Sequence, residues 1–217
     1  MVKLIIVRHG YSVANKGHIF TGQLDMPLDE VGYEQAELVG KYVLENFSVD
    51  EIYSSDLSRA YNTALPVAKA LSKEVKKVKE LREVDVGLWG GKTFDEAKEE
   101  FPESYARYVE CPGLSHFDGG ESYAMARERI SECFERIAAE NEGKTVMVVA
   151  HGGVLRNLFG AWQGVSLARL TDMPRLSNAS VTVAEYDNKN KKANILLYGY
   201  TGHLEKLKNK GVERTLT

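Results

Sequence analysis

The chain has few cysteines, no long apolar run and no excess of basic residues. Its two cysteines, Cys111 and Cys133, form no CxxC pair, which argues against a secreted disulfide framework. No apolar stretch is long enough to span a bilayer, and Arg8 and His9 interrupt the first apolar run too early for a signal peptide. The formal net charge of −3 argues against a general nucleic-acid binder. We therefore expect a cytoplasmic protein with no membrane partner and no nucleic-acid partner.

Two segments share one design and carry most of the functional information. Residues 4–10 read LIIVRHG and residues 146–153 read VMVVAHGG, so each apolar run stops at a His-Gly pair. Runs of this length and composition are typical of strands buried on both faces of a parallel sheet. Ligands bind beyond the carboxyl ends of such strands, which is where His9 and His151 lie. If the two strands are neighbours, these histidines face each other across one site.

Basic residues accompany the two histidines. Arg8 adds a fixed positive charge beside His9. Arg59 falls in the first turn of a helix that we predict over 57–71, where free N–H groups and the helix dipole favour an anion. Two imidazoles with guanidinium groups suit a phosphate better than a metal ion, because arginine presents forked donors to phosphate oxygens. The sequence therefore predicts a phosphate site.

The remaining pattern predicts one α/β domain over residues 1–217. In the first half it predicts strands at 51–54 and 75–78, and a helix capped by Asp29 with Ala36, Val39, Val43, Leu44 and Phe47 on its inner face. A partly helical excursion at about 85–120 is expected to lie over the sheet edge. In the second half we predict helices over 121–142, with Gly143 as C-cap, and over 154–162, then strands near 181–183 and 195–197, then a solvated helix after Glu205.

Several short motifs occur in an order that resembles the histidine phosphatase superfamily. They are Arg8-His9-Gly10, Asn15, residues 21–25 (TGQLD), residues 54–60 (SSDLSRA), Leu81-Arg82-Glu83, residues 119–122 (GGES) and residues 151–153 (HGG). The resemblance runs from Met1 to about His203. It implies the phosphoglycerate-mutase-like fold, a three-layer α/β arrangement in which helices flank a mostly parallel central sheet.

The resemblance also implies a role for each matching residue. His9 looks like a nucleophile that becomes phosphohistidine, and Glu83 looks like the proton donor to the leaving group. Arg8, Arg59 and His151 look like a clamp on the phosphate. No cofactor and no metal ion are expected, since a cation beside Arg8 and Arg59 would be repelled.

Further residues are expected to bind the substrate. By resemblance, Asn15, Gln23 and the backbone around Gly22 and Gly152 would complete the pocket. His203 is a candidate for folding back over the pocket. The aromatic residues that could wall a pocket for an organic group, about half of which we expect to be packing residues, are Tyr11, Phe20, Trp89, Phe117 and Tyr123. Two positions depart from the family pattern: Tyr11, where many members have a smaller or acidic residue, and Gly90, where many have Glu.

The implied chemistry sets a condition on His9. A histidine attacks phosphorus only when it is neutral, and the charges of Arg8 and Arg59 would lower the pKa of His9. The attacking ring nitrogen must carry no proton, so the other ring nitrogen should donate to a fixed acceptor. A covalent intermediate would then replace one difficult hydrolysis by two easier steps.

Three readings of the function stay open at this point. The first is a phosphomonoesterase for a small phosphorylated metabolite, and the second is a phosphoglycerate mutase-type phosphotransferase. The third is an inactive regulatory or binding module on the same fold, which the joint presence of His9, Arg8, Arg59, Glu83 and His151 disfavours. The sequence also leaves a homodimer open.

The region after Glu83 favours the first reading. Between Glu83 and Glu121 the bases are Lys92, Lys98 and Arg107, and acidic residues outnumber them. A mutase needs a basic grip on the non-reacting end of its ligand. We therefore expect the excursion to suit a neutral or apolar leaving group. By resemblance, the candidate substrates include ribazole phosphate, phosphoserine, phosphoglycerates and sugar phosphates.

Overall fold

A six-stranded sheet forms the centre of the protein. The computed structural model describes residues 1–208. The strands are β1 (Val2–Arg8), β2 (Glu51–Ser54), β3 (Val75–Lys77), β4 (Thr145–Ala150), β5 (Val181–Asp187) and β6 (Lys192–Tyr200). Their order in the sheet is β3-β2-β4-β1-β5-β6. The first four of these neighbours are parallel, whereas β5 and β6 run antiparallel at one edge. This arrangement confirms the predicted mostly parallel sheet.

Helices flank the sheet on both faces. They are α1 (Val13–Gly17), α2 (Glu30–Asn46), α3 (Ser58–Leu71), α4 (Phe94–Glu100), α5 (Pro102–Glu110), α6 (Tyr123–Glu140), α7 (Gly152–Trp162) and α8 (Glu205–Lys208). Short 3₁₀ helices lie at Lys79–Leu81, Gly87–Trp89, Pro112–Leu114, Leu167–Asp172 and Gly202–Leu204. None of the described helices is both long enough and apolar enough to pass through a lipid bilayer.

Residues 4–7 of β1 and 146–150 of β4 are all apolar and buried because each face of the sheet has its own core. Leu4 and Ile6 of β1 pack on the side of α6 and α7, whereas Ile5 and Val7 pack on the side of α2 and α3. Strand side chains alternate between faces, so a strand covered on both sides has no position for a solvated residue. The protein therefore has the three-layer architecture that the motifs implied.

Strand β1 lies directly beside β4, and this register positions the two His-Gly pairs. Arg8 pairs with Ala150, and the His9 amide donates to the Ala150 carbonyl at 3.0 Å. Both strands thus end at the same level of the sheet. The condition stated for the two histidines, that their strands be neighbours, is met.

Several predicted details differ in the structure. Helix α6 ends at Glu140 with Asn141 as its C-cap, and Gly143 lies beyond it at φ +80° in the following turn. Leu44 is 37% exposed and does not belong to the inner face of α2. Helix α7 begins directly after the second histidine, at Gly152. Leu207 of α8 is buried, so this segment packs on the core; the rest of the predicted C-terminal tail, residues 209–217, lies outside the described residues.

The excursion at 85–120 is partly helical, as predicted. It contains α4 and α5, and the Thr93–Glu96 capping box at the start of α4 is present. Trp89 is buried at its centre, with Phe20, Phe101 and Phe117 among the rings around it. This aromatic packing holds α5 against the core. The excursion thereby supplies one wall of a cleft at the carboxyl ends of the strands.

Candidate active site

The two histidines meet where β1 and β4 end. The ring centroids of His9 and His151 are 5.1 Å apart and the ring planes are inclined by 55°. Both side chains are buried, with exposed fractions of 5% and 0%. Because each residue directly follows a strand in the middle of a parallel sheet, its position is fixed by the strand register. The predicted facing pair is confirmed.

Hydrogen bonds determine which nitrogen of His9 can react. His9 Nδ1 lies 2.7 Å from the Gly10 carbonyl, which can only accept, so Nδ1 carries the proton and Nε2 has a free lone pair. The Gly10 amide donates to Thr63 Oγ1 at 2.9 Å, and Asn178 Nδ2 donates to the His9 carbonyl at 3.1 Å. The loop that carries His9 is thus tied to α3 and to the segment before β5. Its ring is fixed in the tautomer required for nucleophilic attack.

The surroundings of His9 keep it neutral. Burial lowers the pKa of His9 well below its usual value, and the charges of Arg59 and Arg8 lower it further. The predicted direction is confirmed, although burial contributes more than the two arginines. A neutral imidazole beside guanidinium groups has the protonation state of a nucleophile.

Arg59 is held rigidly at the start of α3. Its Nη1 donates to the Leu24 carbonyl at 2.8 Å, its Nη2 donates to the Gly22 carbonyl at 2.9 Å, and its Nε donates to His151 Nδ1 at 3.2 Å. Gly22 has φ +47°, and a Cβ there would lie 2.7 Å from Val86, so this anchoring turn requires glycine. The guanidinium is therefore oriented before any ligand binds.

The contact from Arg59 sets the tautomer of His151. Since His151 Nδ1 accepts a hydrogen bond, the neutral ring carries its proton on Nε2. Burial, Arg59 and His9 together hold the pKa of His151 well below its usual value. His151 Nε2 is buried without a hydrogen-bond partner among the described residues. A buried, unpartnered N–H next to a nucleophile is suited to an oxyanion.

Arg8 places a second unpartnered donor at the same place. Its Nη1 donates to the Leu176 carbonyl, and its buried Nε has no partner among the described residues. Burial lowers the pKa of Arg8 to about 10, so the guanidinium stays charged at neutral pH. A Cβ at Gly152 would lie 2.9 Å from Arg8 Nε, so the glycine allows this close approach.

Glu83 lies at the N-terminus of α7, one turn from His151. Its Oε2 accepts from the Gly153 amide at 2.9 Å, and its Oε1 accepts from the Val154 amide at 2.8 Å and from the Val84 amide at 2.9 Å. A Cβ at Gly153 would lie 2.8 Å from Glu83 Oε1. The His-Gly-Gly sequence thus provides a histidine, space for Arg8 and space for Glu83 in three consecutive residues.

Two ion pairs hold the loop that carries Glu83. Arg129 donates to the carbonyls of Glu80 and Arg82, at 2.6 Å and 3.1 Å, and pairs with Glu121 at 2.5 Å. Glu121 also accepts from the Asp85 amide at 2.9 Å. Arg82 forms a forked pair with Asp56 at 2.6 and 2.7 Å. These contacts position Glu83 from both sides.

A cleft of about 1060 Å³ is lined by Arg8, Glu83, Gly152 and Gly153. The buried side chains of His9, Arg59 and His151 are not among its lining residues. Aromatic residues of the excursion form one part of its lining: Phe94, Tyr105 and Tyr108. None of the three bases of the excursion lines it. The permanently charged lining residues in the described part of the chain are the cations Arg8, Lys16, Arg156 and Arg175 and one carboxylate, Glu83.

Comparison with known proteins identifies the family. The family model of the histidine phosphatase superfamily (branch 1) matches residues 4–197. This chain belongs to that superfamily. It is 38% identical over 189 residues to phosphoserine phosphatase 1 of Hydrogenobacter thermophilus, covering 87% of this chain and 89% of the relative.

A second sequence relative and a solved structure support this assignment. It is 34% identical over 190 residues to a metal-independent phosphoserine phosphatase of Arabidopsis thaliana, covering 84% of this chain and 76% of that protein. The structure of YhfR from Bacillus stearothermophilus superimposes with a TM-score of 0.89 at 30% identity, covering 94% of this chain and 100% of that one. The predicted phosphoglycerate-mutase-like fold is therefore confirmed.

The structure brings most of the sequence-predicted residues of this histidine phosphatase to one place. Asn15, Tyr11 and Gly152 line the cleft with Arg8 and Glu83. Asn15 Oδ1 accepts from the Ser12 amide at 3.0 Å and from Asn178 Nδ2 at 3.2 Å. Of the aromatic candidates, Tyr11, Phe20 and Tyr123 line the cleft, whereas Trp89 and Phe117 are packing residues.

Three predicted substrate-binding residues do not line the cleft. Gly22 anchors Arg59 through its carbonyl. The Gln23 amide donates weakly to the Glu83 carbonyl at 3.4 Å and so contacts the Glu83 loop. His203 lies against Tyr42 of α2, with ring centroids 5.2 Å apart, and its Nε2 donates to the Ala179 carbonyl at 3.0 Å. The expectation that His203 covers the pocket is not met, because its ring packs on the α2 side of the sheet.

Sequence reasoning missed four residues that shape the site: Asn178, Arg129, Arg156 and Arg175. Asn178 is buried and joins Asn15 to the His9 loop. Arg129 lies on α6, far along the chain from the Glu83 loop that it binds. No motif marks any of these positions, and only the three-dimensional fold brings them together.

Proposed function

We propose that this histidine phosphatase is a metal-independent phosphomonoesterase whose reaction passes through phosphohistidine at His9. The observation that carries the proposal is the free lone pair of His9 Nε2 next to two buried donors, Arg8 Nε and His151 Nε2, that have no partner within residues 1–208. Nucleophile and oxyanion donors therefore lie together at the carboxyl ends of β1 and β4. Two relatives are named as phosphoserine phosphatases, one of them as metal-independent, and both names support the same reading.

Phosphoryl transfer to His9 follows from this geometry. His9 Nε2 forms a bond to phosphorus as the bond from phosphorus to the ester oxygen breaks. Arg8, Arg59 and His151 donate to the other phosphate oxygens, where negative charge spreads in the transition state. These donors are fixed by backbone contacts before the substrate arrives, so little reorganisation is needed.

Glu83 serves both halves of the reaction. Its carboxyl group gives a proton to the departing alkoxide and in the second half takes one from the water that attacks phosphohistidine. Three backbone N–H groups, from Val84, Gly153 and Val154, orient this carboxyl group beside the phosphate site. One fixed side chain can therefore act on the leaving oxygen in the first half and on the attacking water in the second.

Within small phosphorylated metabolites, phosphoserine is the substrate that we propose to test first. Two relatives carry that activity in their names. A mutase is less favoured, since it must exclude water while the ligand reorients. Several residues that line the cleft are exposed, among them Phe94 at 42% and Val109 at 62%, so water has access to the site.

The decisive experiment traps the intermediate. The protein is mixed briefly with phosphoserine labelled at phosphorus and quenched in denaturant. We expect label that is stable to base and labile to acid, and we expect none in the His9→Ala variant. Label that persists in His9→Ala would remove His9 from the role of nucleophile.

Product analysis separates phosphatase from mutase. The enzyme is incubated with 3-phosphoglycerate, with and without 2,3-bisphosphoglycerate. We expect free phosphate and no efficient formation of 2-phosphoglycerate. Rapid isomerisation without phosphate release would overturn the phosphatase proposal and leave the phosphohistidine step intact.

A further inference from the structure

Two arginines outside the phosphate site line the same cleft. Arg156 lies on α7, one turn beyond the amides that bind Glu83, and Arg175 lies in the segment between the last long 3₁₀ helix and β5. Arg156 is half-buried, whereas Arg175 is exposed. Neither residue touches the reacting groups described above, so the mechanism gives them no role.

Arg156 is oriented by backbone carbonyls. Its Nε donates to the Met173 carbonyl at 2.8 Å and its Nη2 donates to the Thr171 carbonyl at 3.1 Å. Its Nη1 makes no hydrogen bond to residues 1–208. These contacts fasten α7 to the chain segment that leads to Arg175. They leave one edge of the guanidinium for a ligand.

Arg175 has no hydrogen bond and no ion pair with any residue in the described range 1–208. Its charge nevertheless acts on the cleft: the pKa of Arg156 is lowered by burial and further by Arg175, and Arg175 also contributes to the lowered pKa of Arg8. Three guanidinium groups therefore repel one another in a cleft that offers them no second carboxylate within the described residues. An arrangement of this kind is relieved by an anion.

The charge balance indicates that the cleft accepts more negative charge than a phosphate carries. Four cationic side chains and one carboxylate line it in the described part of the chain, a formal charge of +3, and Arg59, which the proposed mechanism places on the phosphate, adds one more positive charge. The phosphate of a monoester brings two negative charges, so positive charge remains in excess. A carboxylate on the rest of the substrate would reduce that excess.

The neighbours of the two arginines also suit a carboxylate. Tyr108 and Tyr123 line the cleft beside them, and burial raises the pKa of both phenols, which therefore remain hydrogen-bond donors. Guanidinium groups match the two oxygens of a carboxylate through paired N–H bonds. Donors from three elements of the fold thus surround one region of the cleft.

We propose that Arg156 and Arg175 bind a carboxylate carried by the leaving group, so that the enzyme prefers phosphorylated hydroxy acids to esters without an acid group. The proposal rests on the phosphatase function proposed above, and it goes beyond that function by assigning the residues that select the leaving group. Because Arg175 is exposed and has no partner in the described part of the chain, it contributes to selection without contributing to the core. Arg156 combines selection with a structural role.

The test compares two substrates that differ by one carboxylate. Phosphoserine and phosphoethanolamine share the phosphate, the ester oxygen and the ammonium group. For Arg175→Met, we expect kcat/KM for phosphoserine to fall about 10- to 100-fold, mainly through KM, as expected for the loss of a charge-assisted contact made in the ground state. We expect kcat/KM for phosphoethanolamine to change less than about twofold. Arg175→Lys should retain part of the preference, since it keeps the charge and loses the fork.

The matched control is Arg107→Met, which removes an exposed arginine of α5 that does not line the cleft. It should leave both substrates unaffected. Equal losses for both substrates in Arg175→Met, or an unchanged phosphoserine preference, would overturn the proposal. Such a result would leave the phosphatase function standing.

A binding measurement separates the two proposals if hydrolysis is absent. In a His9→Ala background, calorimetry should give phosphoserine a Kd at least about 10-fold lower than that of phosphoethanolamine. The addition of Arg175→Met should reduce that difference, since Arg156 alone then contacts the carboxylate. Carboxylate selection without turnover in the wild type would overturn the phosphatase function alone, and equal affinities would overturn the carboxylate site.

Discussion

The two ends of the cleft are built in opposite ways. At the phosphate end, Arg59 donates to two backbone carbonyls and to His151, and Glu83 accepts from three backbone amides. At the leaving-group end, Arg175 is exposed and has no partner among residues 1–208, and the wall consists of aromatic side chains from α4 and α5. One end is preorganised, and the other presents side chains that are free to adjust.

The difference matches the demands of the reaction. Transition-state charge is stabilised by donors that need not move, so rigidity is useful where phosphorus reacts. The leaving group differs from substrate to substrate, and a few exposed side chains can change its recognition without disturbing the sheet. A single fold can therefore keep one chemistry and vary its substrates.

The largest effect on activity is expected from a substitution at the phosphate end. Arg59→Met removes a donor that contacts both the site and the turn at Gly22, and kcat should fall about 10²- to 10³-fold for every substrate. The loss should be the same for phosphoserine and phosphoethanolamine, unlike the loss in Arg175→Met. Thermal unfolding of the variant must be measured in parallel, because the Leu24 and Gly22 carbonyls lose their donor. Full activity with lowered stability would reassign Arg59 to a structural role.

The next effect depends on the leaving group. Glu83→Gln keeps the shape of the side chain but cannot deliver the proton, so alkyl esters with poor leaving groups should lose far more activity than aryl phosphates, whose phenolates leave unaided. The measurement is the ratio of kcat for the two classes in the variant and in the wild type. Asp85→Asn is the matched control, because Asp85 lies in the same loop and does not line the cleft. Equal losses on both classes would exclude Glu83 as the acid.

The same contrast explains what the sequence could predict. His9 and His151 directly follow buried strands, so the apolar runs predicted that the two histidines face each other if their strands are neighbours, and the register of β1 and β4 meets that condition. Arg175 lies in the segment before β5, and the antiparallel pairing of β5 with β1 brings that segment to the cleft. No local sequence pattern predicts this pairing. Counting bases within the excursion therefore underestimated the charge of the cleft. The glycines of His-Gly-Gly were visible, but their clearances from Arg8 and Glu83 needed the fold.

A smaller effect is expected away from both ends, at His203. Burial lowers its pKa to about 4, so the unfolded chain binds this proton more tightly than the native protein. Its contribution to stability is complete above pH 6.5 and is lost as the pH falls from about 6.5 to about 4. His203→Gln keeps a donor for the Ala179 carbonyl and cannot titrate. Between pH 6.5 and about pH 4, the free energy of unfolding should therefore fall less in the variant than in the wild type. The difference should be on the order of 1–2 kcal/mol, because the ring is partly exposed. Because His9 and His151 titrate in both proteins, the difference isolates His203; parallel curves would contradict the prediction.

Metal removal is expected to have no effect on activity, which is the smallest effect of the series. The experiment tests whether arginines alone supply the positive charge of the phosphate end. Arg8 and Arg59 flank His9 and lower its pKa by their positive charge, and the same charge would repel a divalent cation from the phosphate oxygens. In the proposed mechanism, these guanidinium groups provide the electrophilic stabilisation that a metal ion provides in metal-dependent phosphatases. Activity toward phosphoserine should therefore survive dialysis against a chelator, with a metal-dependent phosphatase treated in parallel as the control. Loss of activity with recovery on addition of zinc or magnesium would mean that the phosphate end needs a metal ion. The arginines alone would then not explain the difference between the phosphate end and the leaving-group end.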